Sequence, residues 1–503
     1  MSLKNNVLIL AVCILSTALF ALEPTDISTA SNSEAVESPE ISNDSPIPDA
    51  VIKLGILHAK YSSLSPKDWI DTPFPSPGDT VDGEALGVRE KLAKHNIGYT
   101  WLNCSTSAYN LRDAPMAGYH GPANFDGQRF QLFNGERPTA STVQYLFMTY
   151  NVPSKELQFV WVPGTLQTSW NQLGPERPMA VTNGGLYVHK GFNNEKLGIE
   201  FGYLMNDIAF YESYIAGNLA GGTLGLDAPI PYEVGQNRSG LVTPSLRLRY
   251  QATPNTYFKV AFQRSVSPGG ELQERKDNSE GTRFLNGDAK LLTISEIGYR
   301  REAAPLVNKI FVRADGWFNH TKYTDFRTIG LPYLAAHNNK SGLTDNNWAW
   351  SLAGDLQIKQ TNKYVPFQGW YAGATAQYAP PQQNAYTQYY DTRLYNLGPF
   401  KSRPFDMFMV VVNHTVFSQI AMKSFESYAP LRQLYGNAYV DSINPQFGYN
   451  YFGDQTTFNV GYSIRTRPGV WIDPAITYSR HPTFAPRINS SPILARLGVS
   501  MFF

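Results

Sequence analysis

The chain has 503 residues, 30 of them Tyr, 28 Phe and 40 Gly, and only 17% are charged. That length exceeds one ordinary soluble core and the mean hydropathy of −0.30 argues against a bundle of membrane helices, so we expect several domains or one large closed sheet, and abundant aromatic residues favour the sheet. The formal net charge of +1, with no basic aromatic stripe and no zinc spacing, argues against nucleic acid as a partner.

Residues 1–21 have the pattern of a secretory signal peptide. Lys4 supplies a positive start, and the apolar stretch that ends at Phe20 is too short for a comfortable membrane span. Cleavage after Ala18 or Ala21 fits the small residues there. No later run of 18 or more apolar residues follows, so we expect no membrane-spanning helix in the rest of the chain.

Residues 22–50 are predicted to be a disordered acidic linker, because they carry Asp, Glu, Ser and four prolines but no Lys or Arg. Residues 51–96 are predicted to be an N-terminal periplasmic segment with one short helix, in the passage VDGEALGVREKLAKH. Ala85, Val88 and Leu92 fall on one helical face there, and we expect that face to pack against the mouth of a barrel.

From Ile97 to Phe503 the apolar pattern has a period of two. KLGIEFGYLMN, SLRLRY, NKIFVRADGWFNH, WAWSLAGDLQIK and TFNVGYSIR each place aliphatic or aromatic residues on one face and polar residues on the other. Each Arg lies opposite the apolar face, as expected if that face meets lipid, where an Arg costs about 2–4 kcal/mol. Trp348, Tyr378 and Trp471 are predicted to be interfacial aromatics.

Long polar stretches alternate with short turns such as ATPN, a pattern typical of outer-membrane barrels. Roughly 25 residues for each strand and loop gives about 16 strands, the size class that encloses an aqueous channel. The last strand, ILARLGVSMFF, ends on Phe503, as in proteins that the bacterial barrel-assembly machinery recognises. We therefore predict an all-β protein, a transmembrane antiparallel β-barrel of about 16 strands over residues 97–503, in the bacterial outer membrane.

Three passages resemble the carbohydrate-selective porins (the OprB family): GVREKLAKHNIGYTWL (Gly87–Leu102), RPFDMFMVVVNHT (Arg403–Thr415) and TFNVGYSIRTRPGVWIDPAITYSRHP (Thr457–Pro482). The chain departs from the family pattern at Thr477, where the family usually has Gln, and in the acidic linker. The resemblance implies a sixteen-stranded pore for passive, partly selective diffusion of sugars such as glucose.

A sugar-selective pore needs charged or amide side chains for hydroxyl groups and aromatic rings for sugar faces. The lumen-facing charges that we predict to contact substrate carry both signs, which suits a neutral polyhydroxyl compound. These candidate substrate-binding residues are Glu200, Arg247, Arg249, Arg313, Asp315, Asp355, Arg465 and Arg496. We expect no catalytic residues, cofactor or metal, since no HExxH, GxSxG or phosphate-loop motif occurs.

Two other functions remain open from the sequence: a general or other-solute porin, and, in a different class, an outer-membrane enzyme or adhesin. The expected partners are small sugars, outer-membrane lipid and the barrel-assembly machinery, but not nucleic acid. The protein could be a homotrimer or a monomer.

Overall fold

The computed structural model describes residues 47–67, 80–81, 83, 87–112, 139–163, 165–171, 174–207, 209–210, 230–237, 240–444, 447–451, 453–481 and 491–503. The predicted signal peptide and all of the predicted linker before residue 47 lie outside these residues. So does the whole of the Gly-rich passage 217–225, which the sequence predicts to be a loop.

One antiparallel sheet of eighteen strand segments forms the described fold. The first nine are β1 (Ile97–Asn110), β2 (Thr139–Val152), β3 (Leu157–Val162), β4 (Thr165–Asn171), β5 (Gly174–Thr182), β6 (Gly185–Phe192), β7 (Leu197–Leu204), β8 (Thr243–Gln251) and β9 (Thr256–Arg264). The others are β10 (Leu291–Arg301), β11 (Ile310–Asn319), β12 (Asn347–Gln360), β13 (Gly369–Tyr378), β14 (Tyr386–Leu397), β15 (Met407–Phe417), β16 (Asp454–Arg467), β17 (Val470–Arg480) and β18 (Ile493–Phe502).

The eighteen segments make sixteen strands around a closed barrel. β3 and β4 pair with successive parts of β2 and form one interrupted strand, and β5 and β6 form the next. β1 pairs with both β2 and β18, so the sheet has no free edge. Trp101 and Phe503 exchange backbone hydrogen bonds of 2.9 and 2.8 Å at this seam. The fold expected from the sequence, about sixteen antiparallel strands in a closed barrel, is confirmed.

Side chains alternate between the two faces of this wall as the sequence pattern predicts. In β12, Trp350 and Leu352 are exposed on the outer surface, while Ser351 and Asp355 are buried toward the interior. Trp471 follows the alternation but lies on the inward face, so its predicted place at the membrane interface is wrong. It pairs with Arg465 and Ser500 on the inward face and is fully buried, edge-on to Phe502 at 5.4 Å.

The two ends of the barrel differ. Short turns join β2 to β3, β6 to β7, β8 to β9 and β16 to β17 at one end, which we call the short-turn end. Helices α1 (Asp49–Tyr61) and α2 (Val88–Lys94) precede β1. Longer connections at the other end of the barrel carry helices α3 (Ile230–Glu233), α4 (Gly270–Asp277), α5 (Leu331–Ala336), α6 (Gln419–Glu426), α7 (Ala429–Tyr435) and α8 (Asn437–Ile443). None of the helices in the described ranges has the length and apolar character to cross a membrane.

Two helices precede the barrel at the short-turn end. Helix α1 (Asp49–Tyr61) was missed by the sequence analysis and includes Asp49 and Ala50, which were assigned to the linker. Helix α2 (Val88–Lys94) is shorter than the predicted passage.

The predicted apolar face of α2 is wrong, because Val88 is 49% exposed and Arg89 is buried instead. Arg89 donates to the carbonyl oxygens of Gly83 and Tyr99 at 3.0 and 2.9 Å, and its guanidinium lies 4.2 Å from the Tyr99 ring centroid. Two of these contacts, both with Tyr99, hold α2 against the first strand.

Candidate functional site

A continuous band of ionisable side chains lines the inward face of the barrel from β6 to β14, and we call it the charged wall. Strand register places its members on neighbouring strands, because His189 pairs with Glu200, Glu200 with Arg247, and Lys259 with Glu296. The charged wall consists of His189, Glu200, Arg247, Arg249, Lys259, Glu296, Arg313, Asp315, Asp355, Asp391 and Arg393. Six of the eight predicted substrate-binding residues belong to it.

The first part of the charged wall is built around Glu200 on β7. Its carboxylate accepts a hydrogen bond from Arg247 Nε at 2.5 Å and lies 3.2 Å from His189 Nδ1. The other ring nitrogen of His189 is 2.8 Å from Glu195 in the β6–β7 turn. His189, Glu200 and Arg247 are all buried. Their pairing offsets the free energy cost of removing charged groups from water.

The central part is a four-residue group on β9, β10 and β11. Glu296 contacts Lys259 at 2.6 Å and Arg313 at 3.2 Å, and it accepts the Tyr257 hydroxyl at 2.7 Å. Arg313 also reaches Asp315 at 3.2 Å. Arg313 and Asp315 were predicted from sequence, whereas Lys259 and Glu296 were not.

The last part joins β12 to β14 across a strand that lies between them. Arg393 donates to both carboxylate oxygens of Asp355, at 2.7 and 2.8 Å, and also pairs with Asp391. Gly373 of β13 leaves the space for this contact, since a Cβ there would lie 2.2 Å from Asp355 Oδ1 and 2.6 Å from Arg393 Nε. Tyr395 donates to Asp355 at 3.3 Å and stacks on Tyr371 with ring centroids 4.8 Å apart.

Three predicted residues lie beside aromatic rings or uncharged polar side chains. Arg249 donates to Gln251 at 2.9 Å and lies 4.9 Å from the Tyr257 ring. Arg465 lies 4.3 Å from the Phe405 ring near the short-turn end, and Arg496 donates to Thr477 at 3.2 Å. Arg465 and Arg496 are therefore lumen-facing but separate from the charged wall, while Arg249 lies beside Lys259 in the strand register.

The opposite side of the barrel has a different inward surface, which we call the apolar wall. It comprises Leu102, Cys104, Tyr145, Phe147, Trp471 and Phe502, from β1, β2, β17 and β18. All six side chains are buried and belong to one hydrophobic cluster. The inward face of the barrel therefore contains a cluster of ion pairs on one side and a packed apolar cluster on the other.

The connection between β7 and β8 enters the interior and reaches strands far from its own. Asn319 of β11 donates to the Val234 carbonyl at 2.7 Å, and the backbone N–H of Tyr386 on β14 donates to Glu233 at 2.9 Å. Lys259 of the charged wall donates to the Ala209 carbonyl at 2.5 Å. This inward loop, of which residues 209–210 and 230–237 are described, narrows the lumen beside the charged wall.

A glycine allows the inward loop to approach the wall. Gly235 has φ +89°, and a Cβ there would lie 2.2 Å from Ser265 Oγ and 2.5 Å from Asn319 Nδ2. Only a residue without a side chain tolerates both the left-handed backbone and this contact.

The charged-wall residues that sequence reasoning missed carry the same signal as those that it found. In YYDTRLYNL, Asp391, Arg393 and Tyr395 alternate with Tyr390, Thr392 and Leu394. Lys259 likewise lies between the outward residues Phe258 and Val260, and Glu296 between Ser295 and Ile297. The inward loop has no such signal, because its position depends on contacts with β11 and β14. Within the described ranges, no group of three or more His, Cys, Asp or Glu is placed to hold a metal ion.

Comparison with known proteins gave a family match and structural matches. The family model described as carbohydrate-selective porin, OprB family, matches residues 180–495, more than half of the chain. A structure of Pseudomonas putida OprB at high pH is 15% identical, covers 88% of this chain and 100% of its own, and has a TM-score of 0.62, a likeness that shows the fold alone.

Two further structures are less similar. The low-pH structure of the same Pseudomonas putida protein is 11% identical, covers 84% of this chain and 98% of its own, and has a TM-score of 0.49. A mutant Rh. blastica porin is 8% identical, covers 81% of this chain and 100% of its own, and has a TM-score of 0.41. Comparison with curated protein sequences found no match.

Proposed function

Because this chain belongs to the carbohydrate-selective porin (OprB) family, we propose that its barrel conducts sugars passively across the bacterial outer membrane, along the charged wall. The observation that carries the proposal is the contrast between the two faces of the closed sheet. Leu352 and Phe201 are exposed on the outer face, which suits lipid, whereas Asp355 and Glu200 point inward. A channel through the barrel is the use that this distribution supports best.

The charge balance of the wall suits a neutral polyhydroxyl cargo. Among the described strands, the wall contains five cationic side chains (Arg247, Arg249, Lys259, Arg313 and Arg393) and five carboxylates (Glu200, Glu296, Asp315, Asp355 and Asp391). Paired charges leave little net field to attract one ion, while the half-buried Arg249 still offers donors to a hydroxyl group. Such contacts are numerous and individually weak, which a conducting pore requires.

We assign first contact with cargo to the half-buried members of the predicted set. Arg249 and Arg465 retain accessible surface and lie beside aromatic rings, of Tyr257 and Phe405 respectively. The buried ring behind each guanidinium holds it in place, and the guanidinium can donate to the hydroxyl groups of a sugar. Glu200, Arg247, Arg313, Asp315, Asp355 and Arg496 are more deeply buried and shape the wall behind them.

The remaining parts of the proposal follow from the barrel. Family and fold imply a channel rather than an enzyme. The apolar outer face takes outer-membrane lipid as its partner, and the terminal strand β18 with Phe503 is the segment for the barrel-assembly machinery to recognise. The pore is enclosed by one chain, so a monomer and a homotrimer would each have one channel per chain.

Liposome swelling tests the cargo class. The reconstituted protein should admit monosaccharides faster than amino acids of similar size, with disaccharides slower than monosaccharides. Equal rates for sugars and amino acids would favour a general porin, and no swelling with any solute would refute a channel.

A matched pair of variants tests the route. Arg249→Gln removes a half-buried cation from the charged wall, and it should slow sugar entry relative to amino acids. Arg480→Gln makes the same change on the exposed outer face of β17 and should leave both rates unchanged. Equal behaviour of the two variants would place cargo away from Arg249.

A further inference from the structure

Helix α1 occupies the short-turn end of the barrel, where the lumen would open. Val51 and Leu54 are 1% and 3% exposed, and they belong to one hydrophobic cluster with the inward-facing residues Phe311, Tyr371 and Tyr395. Tyr371 and Tyr395 are themselves fully buried. Inward-facing aromatic side chains would be exposed to water in an open mouth. The burial of Tyr371 and Tyr395 therefore means that other groups cover them.

The chain after α1 is fastened to the inside of the same mouth. Thr149 of β2 donates to the Leu64 carbonyl at 2.6 Å, and Gln158 of β3 donates to the Ser65 carbonyl at 2.9 Å and accepts the Lys67 N–H at 2.7 Å. We call residues 62–67 the strap. The strap also lies against Gly98 of β1. A Cβ at Gly98 would lie 2.5 Å from the Leu64 carbonyl oxygen, so the absence of a side chain there leaves room for the strap.

The strap and the cluster lie on opposite sides of the barrel. The strap is bound to β1, β2 and β3, whereas Phe311, Tyr371 and Tyr395 belong to β11, β13 and β14. In the closed order of the sixteen strands these groups are about half a circumference apart. The thirteen residues of α1 give a length of about 20 Å, enough to cross much of the mouth.

The two attachments differ in chemistry. The strap is held by hydrogen bonds and by the ion pair of Lys67 with Glu195, at 3.0 Å. Helix α1 is docked chiefly by Val51 and Leu54, while Lys53, Ile56, Ala59 and Lys60 on its other face are exposed. The hydrogen bonds of the strap are made by residues 64–67 and not by α1, so α1 can leave while the strap stays bound.

We propose that α1 is a tethered plug: docked by Val51 and Leu54, it obstructs the short-turn mouth of the pore, and it swings out on the strap to admit cargo. The proposal concerns regulation of the channel and rests on the proposed function, because a plug matters only where there is a pore. It predicts two conductance levels for one barrel, a small one with α1 docked and a larger one with α1 released.

Planar-bilayer recording of the full-length protein tests the plug. The double variant Val51→Asp with Leu54→Asp should undock α1, because two carboxylates would otherwise be buried among aromatic rings. We expect a several-fold increase in mean conductance and in sugar flux. The control Ile56→Asp places a charge on the exposed face of the same helix, where the side chain is 48% exposed, and should behave as the unmodified protein.

A labelling experiment shows whether α1 is docked in the membrane. Leu54→Cys should react slowly with a water-soluble maleimide and Ile56→Cys quickly, against a background in which Cys104 is buried. Equal fast labelling at both positions would overturn the plug, as would equal conductance of the double variant and the unmodified protein. An absence of conductance in every variant would overturn the pore itself, and the plug with it.

Discussion

The two sides of the lumen differ although they are built by the same alternation. On β7 to β14 the inward positions include the buried ion pairs of the charged wall, and on β1, β2, β17 and β18 they include Leu102, Phe147, Trp471 and the rest of the apolar wall. Alternation decides which side chains point inward, but it does not require the inward face to be polar. The charged wall therefore depends on the pairing of buried charges, whereas the apolar wall depends on packing.

The largest effect is expected from breaking the charged wall at Arg393. Arg393→Ala would leave Asp355 and Asp391 close together and buried without their cation, which should lower the free energy of unfolding by about 3–5 kcal/mol. Urea unfolding in lipid vesicles measures it. Arg327→Ala, whose 60% exposed side chain pairs with Asp325, is the control and should change the free energy of unfolding far less. Similar losses for both variants would contradict the importance of burial.

The apolar wall should respond to lost packing. Leu102→Ala removes a buried side chain from the cluster with Phe147 and should cost about 2–5 kcal/mol of unfolding free energy. Ion selectivity, measured as the reversal potential in a salt gradient, should not change. A cost equal to that of Leu352→Ala, on the exposed outer face, would show that the cluster does not stabilise the barrel.

A smaller effect is expected where the charged wall is most crowded. Gly373→Ala would force its Cβ between Asp355 and Arg393 and should cost about 1–3 kcal/mol, since neither partner can move without loosening the ion pair. Gly316→Ala is the matched control on β11, where the nearest atom to the added carbon is Ser295 Oγ at 3.3 Å. A harmless Gly373→Ala would mean that Arg393 reaches Asp355 by another path.

The smallest effect concerns the turn that joins the charged wall to the strap. Burial opposes ionisation of Glu195, but hydrogen bonds and charges from His189 and Lys67 outweigh it and lower the pKa from 4.5 to about 2. The depressed pKa means that ionised Glu195 stabilises the fold above pH 4.5 and loses this contribution as the pH falls toward 2.

Unfolding of Glu195→Gln measures this contribution. The variant should be less stable than the unmodified protein at pH 6, and the difference should shrink as the pH falls through that window. A difference that is the same at pH 6 and at pH 2 would exclude a contribution from the charge of Glu195. Glu280→Gln, at an exposed loop position, should differ from the unmodified protein at neither pH.

The sequence by itself determined the barrel, because a period of two is a local property of each strand. The faces of Glu200, Arg313, Asp355 and Arg496 could be read from their immediate neighbours, and the strand count followed from spacing. The same rule would have identified Arg393 and Glu296. It could not tell that Trp471 lies inside rather than at the interface, since its strand offers apolar residues on both faces.

Only the tertiary structure decided what fills the barrel. Helix α1 places Val51 and Leu54 in one hydrophobic cluster with Tyr371 and Tyr395, more than three hundred residues later. The inward loop is placed by Asn319 and Tyr386, and the Asp355–Arg393 pair by the missing side chain of Gly373. Such contacts join residues far apart in sequence, so no local pattern records them, whereas the alternation that builds the wall is written into every strand.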